Sequence, residues 1–207
     1  MENKKLALIL FGLSYGVRDH WHKRRYFIDY KVSYPNYKKF IFEYFESLGY
    51  EIDVFFCTNN DIPEEEKNKL IDLYKPVDYC FSSGWKNDKI YNAVNCCMKS
   101  GKEYDHYLIT RFDMEFKIPF NECNFDFNKF NMVSVLEKPE FLCDNFYFMN
   151  KELFPKFKQV LGNNLRGNHH KLGPQFEKVI GEINFVKNEK TRIPLLTFYK
   201  IVRRLAK

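Results

Sequence analysis

A chain of 207 residues is long enough for one domain with a sizeable core, and its 22 Phe and 14 Tyr mean that bulky rings must fill that core and line any cleft. The formal net charge of +6, from 33 Lys and Arg against 27 Asp and Glu, suits an acidic ligand but lacks the dense basic patch of a nucleic-acid binder. None of the six cysteines forms a C-x-x-C pair, which excludes the usual zinc spacing, and with no secretory signal they imply a reducing, cytoplasmic setting.

In chain order, residues 6–11 form an apolar run too short to cross a bilayer, predicting a first buried strand that stops at Gly12. A loop with Gly16, Arg18, His20, Trp21 and His22 follows. Tyr37, Phe40, Ile41, Tyr44, Phe45 and Leu48 fall at helical spacing, and Gly49 is placed to end that helix. Residues 52–57 predict a second strand, closed by the turn residues Asn59, Asn60 and Asp61. Asp61 and Glu64 fit a capping box, with Pro63 in the first turn of a helix reaching about Tyr74. A short third strand is expected at residues 77–81, a loop at 82–85, and a helix from about Asp88 to Gly101 with Ile90, Ala93, Val94, Cys97 and Met98 on one stripe.

The next strand carries the most informative segment, Tyr107-Leu-Ile-Thr-Arg-Phe-Asp-Met-Glu115. Side chains alternate along a strand, so Arg111, Asp113 and Glu115 are expected on one face at a strand end. D-x-E is a short pattern that usually marks solvated acids. Here it ends an apolar strand in an alternating β-α-β-α-β-α-β series, which predicts a mainly parallel sheet with helices on both faces. Ligands of such sheets bind at the carboxyl ends of the strands, and paired carboxylates there suit Mg²⁺ or Mn²⁺ held on a substrate phosphate. Beyond Pro119, residues 121–131 read as loop, 132–136 and 146–149 as strands, 153–161 and 175–180 as helices, and 162–173 as a loop with His169 and His170. Residues 195–207 form an apolar-basic tail with four cations and no acid, expected to dock on the domain and less readily on an anionic membrane.

Gly84-Trp85, Lys89-Ile-Tyr-Asn-Ala93 and Tyr104-Asp-His-Tyr-Leu-Ile-Thr-Arg-Phe-Asp-Met-Glu115 together resemble the small nucleotide-sugar glycosyltransferases of the GT-A fold. The branch they resemble most occurs in viral and bacterial surface-polysaccharide clusters and includes capsid-glycosylating enzymes of large DNA viruses such as chloroviruses. The resemblance spans residues 6–161 in order of elements and is specific over residues 89–115. It departs from the family at Glu115, where many relatives carry Asp.

The resemblance implies an α/β fold: a single GT-A-like, Rossmann-like domain over residues 1–207. Residues 1–117 would bind the nucleotide sugar, 118–194 the acceptor, and 195–207 form the tail; a domain cut from a longer protein is equally compatible with the abrupt basic end. It further implies transfer of a hexosyl or deoxyhexosyl unit from a nucleoside diphosphate, with UDP expected, to a glycan or glycoprotein hydroxyl. For a viral enzyme, that would be in the host cytoplasm. Asp113, Glu115 and His169 would hold Mn²⁺ or Mg²⁺, and Asp113 would also contact the donor. Arg111 would either support the diphosphate or lock the acids in a bidentate pair. Phe11, Gly12, Leu13, Arg18, Thr58, Asn59 and Lys89 are the further donor-binding candidates, and Asp144 is the candidate acceptor base or ligand of the acceptor hydroxyl. The competing readings are a nucleotidyltransferase, for which Ser82-Ser83-Gly84 is a faint entrance motif, and a non-catalytic nucleotide- or glycan-binding domain.

Overall fold

The computed structural model describes residues 4–19, 25–133, 142–164, 171–186, 198–202 and 204–205. The chain opens with β1 (Lys4–Phe11), whose residues from Leu6 onward are buried on both faces. Leu6, Leu8 and Leu10 enter one core and Ala7, Ile9 and Phe11 the other, the pattern of a central strand covered on two sides. A hairpin of β2 (Tyr15–Asp19) and β3 (Arg25–Asp29) follows, where sequence predicts loop. Its alternation is too short and too polar to stand out. Helix α1 (Tyr30–Tyr37) passes through a wider π turn at Lys38–Phe42 into α2 (Glu43–Ser47), and Gly49 takes the positive φ of 81° that ends it, as expected.

Then come β4 (Tyr50–Asn59), α3 (Glu64–Tyr74), β5 (Asp78–Ser82), α4 (Lys86–Lys99) and β6 (His106–Arg111). The second part adds β7 (Met114–Phe116), β8 (Phe130–Met132), β9 (Phe146–Asn150), α5 (Phe154–Asn163), α6 (Gly173–Ile180), β10 (Ile183–Phe185), β11 (Tyr199–Ile201) and β12 (Arg204–Leu205). Seven strands form one sheet in the order β10-β8-β9-β6-β1-β4-β5. Only β9 runs against its neighbours, so the sheet is mainly parallel, as predicted. Helices α4, α5 and α6 cover one face, and α1, α2 and α3 the other. The expected nucleotide and acceptor halves thus share a single sheet.

Three local expectations need correction. Asp61 and Glu64 form no capping box: Pro63 occupies the N-cap of α3 and Asp61 lies two residues ahead of it, bonded instead to Arg18 and Asn59. Helix α4 starts at Lys86, ahead of Asp88, because the Asp88 carboxylate accepts the Trp85 N–H at 2.8 Å and so belongs to the first turn. The strand expected to present both acids stops at Arg111. Phe112 turns into the core, its N–H donating to Phe11 O at 3.2 Å, and the chain resumes as β7 in a separate two-stranded sheet with β11. The tail docks as expected, with Phe198 and Tyr199 buried, while Pro155 sits harmlessly in the first turn of α5. None of the six cysteines is in a disulfide, and no helix of the described residues is long and apolar enough to cross a membrane.

Candidate functional site

Strands β1, β4, β5 and β6 are parallel, so their carboxyl ends lie side by side. A cavity of about 560 Å³ opens there. Gly12 and Leu13 after β1, Arg18 of β2, Asn59, Asn60 and Asp61 at the end of β4, the Ser82–Ser83–Gly84 turn, the start of α4 with Trp85, Lys86 and Lys89, and Arg111 at the end of β6 line it. This is the crevice where open α/β sheets take ligands. Four of the described lining residues are cations and one, Asp61, is an acid, so the cavity presents a field suited to an anion.

Backbone geometry shapes the floor. Gly12 leaves β1 at φ +98°, with its N–H donating to Cys57 O at 3.2 Å, a turn that a side chain would strain. Gly84 is required for space: a Cβ there would meet the Asp88 Cβ at 2.6 Å and its Oδ2 at 2.7 Å. That close approach lets Asp88 cap α4, while Lys89 donates to Gly84 O from within the helix.

Behind the cavity wall the cations are fixed by buried partners. Arg111 grips Asp113 in a fork, Nε to Oδ1 and Nη2 to Oδ2, both at 2.6 Å, with Asp113 2% exposed. Burial opposes the Arg111 charge, yet the adjoining Asp113 carboxylate and its hydrogen bonds outweigh that and hold the guanidinium above its ordinary pKa. Lys86 Nζ lies 2.7 Å from Asp144 Oδ1 and 3.0 Å from Asn145 Oδ1, which also accepts from Arg111 Nη1 at 3.4 Å. Asn145 in turn donates to the Tyr199 hydroxyl at 2.8 Å, so β11 fixes the residue that bridges both cations. Burial lowers the pKa of Lys86, with the Asp144 charge pulling against it, and burial lowers that of Lys89 as well.

At the outer rim, Arg18 Nη2 contacts Asp61 Oδ1 at 2.6 Å, and Asn59 donates to the same oxygen at 2.6 Å. Burial alone would raise the Asp61 pKa, but the Asn59 hydrogen bond and the Arg18 charge bring it below the usual carboxylate value. Trp85 stands 87% exposed at the mouth.

The structure therefore brings together Gly12, Leu13, Arg18, Asn59, Lys89 and Arg111 of the residues singled out by sequence. Phe11 lies buried at the end of β1, with Lys86 Nζ 5.9 Å from its ring centroid. Thr58 is buried too, its hydroxyl 2.8 Å from Ser14 Oγ and 3.0 Å from Asn59 Oδ1, so it supports the floor without lining it. Asp144 stands behind Lys86. His169, His20 and His22 lie outside the described residues.

The expected juxtaposition of Asp113 and Glu115 is corrected. Asp113 lies in the turn that follows β6, whereas Glu115 lies on β7 and pairs with Lys200 of β11 at 2.9 Å. Of the two roles open for Arg111, the bidentate lock is present on Asp113. Both Asp113 oxygens are thus engaged by a guanidinium, Glu115 faces a lysine, and neither lines the cavity. Among the described residues no cluster of three or more His, Cys, Asp or Glu could hold a metal. As placed, Asp113 and Glu115 offer Mn²⁺ or Mg²⁺ no shared pair of open carboxylate oxygens, and His169 lies outside the described residues.

Sequence reasoning missed Lys86, Asn145 and Tyr199. A helix start immediately after Gly84-Trp85 was the available signal for Lys86, and adjacency to Asp144 the signal for Asn145. Nothing local marks Tyr199, whose role depends on where the tail docks.

No family model matches the chain, and no curated protein matches it. Among solved structures it is similar to a glycosyltransferase involved in the glycosylation of the major capsid of PBCV-1, at 9% identity and a TM-score of 0.47 over 97% of this chain and 92% of that one. It is similar to the WbbM bifunctional glycosyltransferase in its apo form, at 14% identity and a TM-score of 0.47 over 89% of this chain and 39% of that one. It is also similar to the apo-form glycosyltransferase GlyE of Streptococcus pneumoniae TIGR4, at 13% identity and a TM-score of 0.43 over 88% and 45%. The chain spans less than half the length of the latter two. The class that sheet and cavity define by themselves is an α/β protein with a cationic cleft at the carboxyl ends of parallel strands.

Proposed function

We propose that this chain is a glycosyltransferase that takes a nucleoside diphosphate sugar, with UDP as the nucleotide, into the cavity above β1, β4, β5 and β6. It passes a hexosyl or deoxyhexosyl unit to a glycan hydroxyl, on a surface polysaccharide or a capsid glycoprotein. The observation that carries this reading is the convergence of Arg18, Lys86, Lys89 and Arg111 on one cavity at the strand ends, a cavity of the size that encloses small ligands. The sequence resemblance over residues 89–115 supports the same reading and supplies the reaction class.

In the proposed reaction the acceptor oxygen bonds to the anomeric carbon as the bond from that carbon to the diphosphate breaks. The bonding pair leaves with the diphosphate, which also takes up the hydroxyl proton. Charge grows on the diphosphate oxygens, and fixed cations aimed at them lower the barrier most when they need no reorganisation. Asp144 is then a positioning residue that holds Lys86 and does not act as the acceptor base. Trp85, exposed at the mouth, offers a flat face for the acceptor sugar.

A thermal-shift panel of nucleosides, nucleoside diphosphates and UDP-sugars tests the reading. Ligand at about a hundred times its Kd adds about 2.7 kcal/mol, which moves the midpoint of a domain this size by about 5–10 °C. Diphosphates should shift the midpoint and bare nucleosides should not, and a UDP-sugar should release UDP when glycan acceptors are added. Binding without turnover on any acceptor would favour the non-catalytic binding domain, and no shift with any nucleotide would remove the reading.

A further inference from the structure

Resting on the reading above, we infer that the charge of the leaving diphosphate is taken by Lys86, Lys89 and Arg111, with no divalent cation in the nucleotide complex. Two of the three residues that sequence assigns to a metal, Asp113 and Glu115, are already engaged elsewhere, and the third, His169, lies outside the described residues. Asp113 accepts two hydrogen bonds from Arg111 at 2.6 Å, and Glu115 meets Lys200 at 2.9 Å on the separate small sheet. Releasing Asp113 to a metal would strip a buried guanidinium of its adjoining counter-charge, a costly step for a pair this far from solvent.

The cations, by contrast, retain donors for a phosphate. An ammonium has three N–H groups and a guanidinium five. Lys86 donates one of its three to Asn145 and forms an ion pair with Asp144, and Lys89 uses one on Gly84 O. Arg111 uses three of its five on Asp113 and Asn145. Lys86, Lys89 and Arg111 line the cavity, whereas Asp113 and Asp144 do not, so both ion pairs meet the ligand cation first. The buried carboxylates orient the cations without competing with the diphosphate for the cavity. Asn145 sets the spacing of Lys86 and Arg111 by accepting from both. Such a site keeps the work of charge neutralisation inside the protein and leaves it independent of metal supply.

The test is calorimetric titration of the full chain with UDP, and with GDP, CDP and ADP as alternatives, in EDTA and again in excess Mn²⁺. The expected result is a Kd that agrees within about threefold between the two buffers and that weakens with added KCl in EDTA. Lys86→Met and Lys89→Met should each weaken binding by about tenfold in both buffers, with melting curves recorded to confirm that the variants fold. Glu115→Gln, a change at a half-buried surface pair, keeps the test decisive where a lysine variant fails to fold: it should leave the UDP affinity in Mn²⁺ unchanged. Binding that needs Mn²⁺, or a loss in Glu115→Gln confined to the Mn²⁺ buffer, overturns this inference and leaves the proposed function standing. No binding of any nucleoside diphosphate in either buffer overturns both.

Discussion

Replacing Asp113 by Asn separates a structural role for this carboxylate from a ligand role, because the two predict different stabilities in the absence of any nucleotide. Asp113 has a side chain 0% exposed and Arg111 one 10% exposed, and two hydrogen bonds of 2.6 Å join them. Removing one partner of such a buried pair costs about 3–5 kcal/mol, because it leaves the other charge without compensation. Exposed pairs are worth about 0–1 kcal/mol. The Asn amide oxygen still accepts one guanidinium N–H, and Asp144 contributes a second favourable charge near Arg111, so the lower end, about 3 kcal/mol, is expected. With a urea m-value of about 2–3 kcal/mol/M, the midpoint falls by about 1–1.5 M at unchanged slope. The double variant Arg111→Met, Asp113→Leu should recover most of that loss, since neither charge is then stranded. A cost below about 1 kcal/mol for Asp113→Asn would show that the fork is not a folding interaction and would refute the reasoning.

Tyr199→Phe removes the hydroxyl that accepts from Asn145 and lies 3.0 Å from Cys143 Sγ. It should cost about 1–3 kcal/mol in urea unfolding and weaken UDP binding in calorimetry through Asn145. Gly84→Ala forces a Cβ against Asp88 and should lower stability by about 1–3 kcal/mol while reducing nucleotide affinity, both read by thermal shift with and without UDP. Burial pushes the Tyr50 and Tyr107 hydroxyls up to about 12, and burial carries Tyr37, Tyr74 and Tyr147 further above the ordinary value of 10.0. Above that value the unfolded chain loses tyrosine protons that the folded one keeps, so stability falls as pH rises from about 10. The tyrosinate absorbance of these buried rings should accordingly appear together with loss of helical circular dichroism, and ionisation of all the tyrosines in the still-folded chain would contradict the burial. Lys86, with its pKa lowered, acts in the opposite sense on stability below the ordinary lysine value, but its deprotonation should weaken UDP binding, seen as a rise in Kd on the alkaline side.

Much of the sheet was legible because β1, β4 and β6 are continuous apolar runs bounded by glycine or turn residues, and the helices between them have clear stripes. The hairpin β2–β3 and the short strand β10 escaped because few residues define each and their pairing partners are remote. The site was legible in position and incomplete in chemistry. Strand alternation gives the right face only while a strand continues, and the turn at Phe112 depends on a core pocket that periodicity cannot reveal. Spacing likewise placed Arg111 beside Asp113 but left open whether the acid faces a ligand or its own neighbour. Lys86 and Asn145 meet although they stand 59 positions apart, a contact that no local pattern encodes.

The docking of β11 also bears on when the protein matures. During synthesis β1 to β6 leave the ribosome well before residues 198–202, so a nascent chain holds the core strands while Asn145 still lacks the Tyr199 hydroxyl. The cleft acquires its final alignment only after that late segment folds back beside β7. The support that Tyr199 gives to the bridge between Lys86 and Arg111 thereby arrives last.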